Sequence, residues 1–133
     1  MSRQTDTALK FVECINRGDV SGLAELMTPD HVFIDLSGEK HIGRKAMQAS
    51  WKSYLTMCPE YMIHISEIHP RGDRVMLVGR TTGSHLRQER LVEFESGTLI
   101  WIAEVEREQL SLWQLAYDTP ESRNELDIPP RDR

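Results

Sequence analysis

Only two cysteines occur in the chain, Cys14 and Cys58, and both fall within helical patterns far apart in sequence. Reduced core residues are therefore expected in preference to a disulfide or a metal clip. Long apolar runs are missing too: nothing approaches the roughly 20 residues that cross a bilayer. The first ten residues lack the apolar stretch of a secretion signal, so a cytoplasmic setting with no membrane partner is expected. Positive charge is scarce, with 16 Lys and Arg against 21 Asp and Glu, a net charge of -5 and a pI near 5.5. That balance speaks against nucleic acid or an anionic surface as the main partner and favours a small neutral or weakly polar ligand. No internal repeat is visible. What is present, 39% hydrophobic residues over 133 positions, suffices for one domain with its own core.

Periodicity divides the chain. Ala8, Leu9, Phe11, Val12 and Ile15 fall on one helical face, and Gly18 offers a left-handed stop after Arg17. Asp19 suits the N-cap of a short second helix carrying Val20, Leu23, Leu26 and Met27 inward, which Pro29 terminates. A strand is expected just after Pro29. In it Phe33 and Asp35 share one face while Val32, Ile34 and Leu36 share the other; both are apolar, so both should be covered. From Gly43 to Pro59, Met47, Trp51, Tyr54, Leu55 and Cys58 repeat at helical spacing. Alternation then sets in at Tyr61, Ile63 and Ile65, turns at Arg71-Gly72-Asp73 and resumes at Val75 and Leu77. The tripeptide Arg-Gly-Asp reads as a hairpin turn without further function. Residues 86–90 read as a polar link, 92–107 as extended chain broken near Ser96-Gly97, and 110–118 as a last strand. A polar tail from about residue 121 should be peripheral.

Asp35 is the residue most worth following. A carboxylate at the end of an apolar strand is either a pocket base, its pKa raised by burial, or a group that hydrogen-bonds the Ser37-Gly38 turn. Histidine offers no metal set by spacing. His31 and Asp35 lie about 13 Å apart along the strand at roughly 3.3 Å per residue, and His64 and His69 point to opposite faces of a regular strand. No metal and no cofactor are expected.

Several short motifs occur in a specific order: Asn16-Arg17-Gly18-Asp19, then Pro29-Asp30-His31-Val32-Phe33-Ile34-Asp35, Gly43-Arg44-Lys45-Ala46, and Trp113-Gln114-Leu115-Ala116-Tyr117-Asp118. Over roughly Ala8 to Leu126 the chain resembles the nuclear transport factor 2-like superfamily, especially its SnoaL-like polyketide cyclase and ketosteroid isomerase branches. The resemblance implies an α+β fold in which a cone-shaped, curved antiparallel sheet wraps around a long helix, with two further N-terminal helices. It also implies an apolar pocket and, commonly, a homodimer.

Asp35 matches the proton-shuttling aspartate of ketosteroid isomerases. Their oxyanion tyrosine falls at Phe11 and their protonated aspartate near Trp101, so steroid isomerisation by that arrangement is disfavoured. In the epoxide-hydrolase branch Arg80 fits the arginine, but the two aspartates fall at Thr82 and Leu115. The SnoaL-like pattern leaves Gly83-Ser84-His85 and Asp118 as matches. Asp35, His85 and Asp118 are therefore the catalytic candidates, each weighed against a turn, surface or cap role. Phe11, Phe33, Trp51, Tyr54, Trp101, Trp113 and Tyr117 are the candidate ligand wall, otherwise core. Two readings stay open. One is a cofactor-independent isomerase or cyclase acting on a small apolar carbonyl compound, with Asp35 as general base; the other is a non-catalytic binding or dimeric assembly domain for an apolar or aromatic ligand.

Overall fold

The computed structural model describes residues 2–84 and 97–131. Its first helix, α1 (Arg3–Arg17), is capped by the Ser2 hydroxyl, which accepts from the Thr5 N–H at 3.1 Å. It ends at Gly18, whose φ of 68° is the left-handed conformation expected there. Asp19 caps α2 (Val20–Glu25) by accepting from the Gly22 N–H at 2.9 Å. The chain then runs through β1 (Met27–Ile34), β2 (Lys40–Ile42) and α3 (Arg44–Met57) into β3 (Met62–Arg71) and β4 (Arg74–Thr82). It closes with β5 (Leu99–Glu106), β6 (Gln109–Tyr117) and a short helix α4 (Pro120–Glu125).

The six strands form one sheet in the order β2-β1-β6-β5-β4-β3. All neighbours are antiparallel except β1 and β6, which pair in parallel. The core lies on the sheet's inner face, where Phe11 and Ile15 of α1 and Met47 and Trp51 of α3 pack against Leu77, Trp101, Leu110 and Trp113. Asn16 fastens α1 to the sheet: its side chain accepts from the Ile63 N–H at 2.8 Å and donates to the Ile63 carbonyl at 3.0 Å. Both faces of β1 are covered as its sequence requires, with Phe33 inside and Val32 and Ile34 against an outer cluster of Met76, Val78, Ile100, Ile102, Leu112 and Ile128.

Three local expectations change. Pro29 lies within β1, not before it, because the β1–β6 register shifts between Met27 and Val32 and that stretch needs no ladder N–H from a proline. The β3–β4 register shifts between Ile65 and Glu67. That one-residue irregularity reverses the alternation, so His64, opposite Arg80, and His69, opposite Met76, share the outer face instead of opposing it. The tail is not merely peripheral either: α4 lays Arg123, and the chain after it Ile128, 3% and 6% exposed, onto the outer face. The polar link at residues 86–90 and residues 92–96 of the extended stretch lie outside the described residues.

Candidate functional site

Between the sheet's inner face and α3 lies a cavity of about 590 Å³. It opens where β1, β4 and β6 end and β3 and β5 begin, so the strand termini bring residues distant in sequence together. Phe33, Trp51, Tyr54, Trp113 and Tyr117, all expected as ligand wall, line it. Phe11 and Trp101 do not. Both are fully buried behind the wall, Phe11 with its ring 4.8 Å from that of Trp113, and they shape the pocket only by holding its lining in place. Leu36, expected on the opposite face from Asp35, also lines the cavity because the strand has ended and the turn begun.

Asp35 stands at the cavity's β1 side. Its Oδ1 accepts from the Ser37 N–H at 2.9 Å, the Ser37 hydroxyl and the Glu39 N–H at 3.1 Å. Its Oδ2 lies 3.1 Å from His41 Nε2. The Ser37 hydrogen bond above all, helped by His41 and the turn N–H groups, outweighs burial, which pushes the other way, and holds the carboxyl down at about 2. Both sequence alternatives therefore meet in one residue: it faces a pocket and it ties a turn, and its pKa moves down where apolar burial alone would move it up.

Asp118 faces elsewhere. It is 3% exposed on the outer side, where Arg123 Nε meets its Oδ1 at 2.6 Å and Arg123 Nη2 meets its Oδ2 at 2.9 Å. Burial pushes this carboxyl up, but Arg123 and the Thr98 hydroxyl outweigh it and leave it below the ordinary range. Arg123 also reaches Glu67 at 3.0 Å and the Pro129 carbonyl at 2.8 Å, so the catalytic reading of Asp118 gives way to an ion-pair network that fastens α4. His85 lies outside the described residues.

Spacing along the chain brings His31, His64 and His69 into question as metal ligands and does not single out His41. The β1–β2 turn brings Asp35, Glu39 and His41 together, with one ligand atom from each within 4.8 Å of the others. Two carboxylates and an imidazole could hold a divalent cation. The trio is partly exposed and internally paired, His41 Nε2 lying 3.7 Å from Glu39 Oε1. His31 is fully buried; its Nδ1 lies 2.7 Å from the Leu110 carbonyl, and burial lowers its pKa, so it is a neutral core residue.

The polar residue that sequence reasoning missed is Tyr61. It lines the cavity, is 7% exposed, and packs edge-on to Tyr54 with ring centroids 5.1 Å apart. Its inward position was legible from the alternation with Ile63 and Ile65, but its place beside α3 was not. Thr81, opposite Ile63, and Ser84 line the same side.

A curved mixed sheet folded over helices, with an aromatic cavity at one end, defines a cone-shaped α+β fold. The SnoaL-like domain profile matches residues 8–110, and the chain belongs to that family, within the nuclear transport factor 2-like superfamily. Among solved structures it is similar to a candidate SnoaL-like polyketide cyclase of Shewanella putrefaciens CN-32, at 13% identity and a TM-score of 0.71 over 96% of this chain and 87% of that one. It is likewise similar to a candidate ketosteroid isomerase of Kribbella flavida DSM 17836, at 16% identity and a TM-score of 0.67 over 98% and 91%. An LEH-like epoxide hydrolase of M. tuberculosis matches at 14% identity and a TM-score of 0.67 over 87% and 83%. At such identities these likenesses establish the fold alone. No curated protein matches the chain.

Proposed function

We propose that the chain takes up a small, mostly apolar ring compound in this cavity and binds it without chemistry of its own. One observation carries the reading: six aromatic residues, Phe33, Trp51, Tyr54, Tyr61, Trp113 and Tyr117, wall about 590 Å³, while among the described residues Asp35 is the sole carboxylate on the lining. Aromatic walls of this size suit a ring of comparable breadth. A carboxyl at about 2 accepts a proton roughly a hundredfold less readily than an ordinary aspartate, by about tenfold per pKa unit. A second copy of the chain as partner and a cytoplasmic setting belong to the same reading, and the pocket depends on neither.

The catalytic reading draws on the same residue. Asp35 is ionised at neutral pH and touches the cavity, as the general base of a cofactor-independent isomerase or cyclase would have to be. A thermal-shift screen of ring ketones, phenols and hydrocarbons, followed by product analysis, separates the two. Binding predicts saturable stabilisation, about 2.7 kcal/mol at a ligand concentration of 100 Kd, that Asp35→Asn retains and no product from either protein. Product formed by the unaltered chain and lost in Asp35→Asn would turn the assignment to an isomerase or cyclase. No saturable stabilisation by any ring compound would sink both.

A further inference from the structure

We infer that the Tyr61 hydroxyl is the pocket's polar anchor, selecting ring compounds that carry an uncharged hydrogen-bond acceptor, such as a ketone oxygen, over hydrocarbons of the same shape. The inference rests on the binding reading above. Tyr61 is more than nine-tenths buried, yet among the described residues its hydroxyl has no hydrogen-bond partner. A hydroxyl of a mostly buried residue that opens onto a cavity without a protein partner marks a place where a ligand's acceptor can arrive. The indole nitrogens of Trp51 and Trp113 are also unpartnered among the described residues, but they are sealed within the wall, and the Tyr61 hydroxyl is not one of the sealed atoms.

Burial raises the phenol's pKa, with Tyr54 and Cys58 adding to the effect, so the hydroxyl keeps its proton and can donate. The other hydroxyls on the lining are differently placed: Ser37 is spent on Asp35, Thr81 donates to Ser84 at 3.4 Å, Ser50 is exposed, and Tyr54, Ser84 and Tyr117 have interactions of their own.

Position fixes what the anchor can address. Tyr61 enters β3, beyond β4, and the Gly83 backbone passes so close that a Cβ there would lie 3.0 Å from the Tyr61 nitrogen. Asp35 leaves β1, four strands away from β3 in the sheet. At about 4.8 Å per strand that is roughly 19 Å along the sheet, so the two groups face different ends of the cavity. The ionised Asp35 disfavours an anionic ligand, which leaves a neutral acceptor as the complement of Tyr61.

The test compares 1-tetralone with tetralin, its hydrocarbon counterpart, by equilibrium dialysis against the unaltered chain and Tyr61→Phe. The unaltered chain should bind the ketone about three- to tenfold more tightly, the range a net hydrogen bond supplies. Tyr61→Phe should abolish that preference by weakening the ketone alone, and its retained hydrocarbon binding shows that the pocket is intact. Hydrocarbon binding without ketone preference in the unaltered chain overturns the anchor and leaves the binding reading standing. A preference that survives Tyr61→Phe, or equal weakening of both probes, also overturns it. Failure of both probes to bind the unaltered chain overturns the binding reading and the anchor together.

Discussion

Asp35 and Asp118 end the two strands that pair in parallel, and both carboxyls lie below the ordinary aspartate range, yet they belong to different parts of the molecule. Asp35 is lowered by groups within six residues of it, Ser37, Glu39 and His41, at the edge of an open cavity. Asp118 is lowered against its burial by Thr98 and Arg123, the latter also bound to Glu67, on the far side of the sheet. A shifted pKa therefore does not by itself separate site from scaffold. What the carboxylate faces does: a lining of aromatic rings in one case, a guanidinium that fastens a helix in the other.

Three measurements test this contrast, in order of decreasing effect. Arg123→Met strands Asp118 as an unpaired buried charge and should cost about 3 to 5 kcal/mol in urea unfolding at pH 7. A loss below about 1 kcal/mol would mean that the outer network is as dispensable as a surface pair. Asp35→Ala removes turn bonds and a half-exposed His41 contact and should cost about 1 kcal/mol. A cost as large as that of Arg123→Met would erase the distinction between the two regions.

The smallest effect is in the acid limb. The Asp35 carboxyl sits at about 2 in the fold and near the ordinary value of about 4 in the unfolded chain. Its contribution is therefore complete above about pH 4 and drains away as pH falls through 2. The stability gap between the unaltered chain and Asp35→Asn should stay level from pH 7 down to about 5, then close toward pH 2. A gap that persists unchanged to pH 2 would contradict the turn-bonding role.

Much of the fold was legible because its signals are local. Gly18 stops α1, Asp19 caps α2, and residues 72–73 join β3 to β4, each through backbone chemistry that depends on immediate neighbours. The site was legible where alternation carried it, as with Phe33 and Asp35, or Trp113 and Tyr117. It was illegible where a single irregularity changes the face of every residue beyond it. The shift after Ile65 put His69 beside Glu67 on the outer face, and nothing in the residues marks it. Burial misled in the same way: Phe11 and Trp101 read like Trp51 and Trp113 in sequence, and only packing order places two of them behind the wall and two on it.

The succession of helices and strands, the inward aromatic stripes and the carboxylate at the end of β1 follow from local sequence, because periodicity and caps act over a few residues. Tertiary structure alone decided that Asp118 belongs to Arg123, that His41 stands against Asp35, and that Tyr61 lines the cavity with its hydroxyl unpaired among the described residues. Those outcomes depend on strand order and register, which bring together residues that no local rule connects.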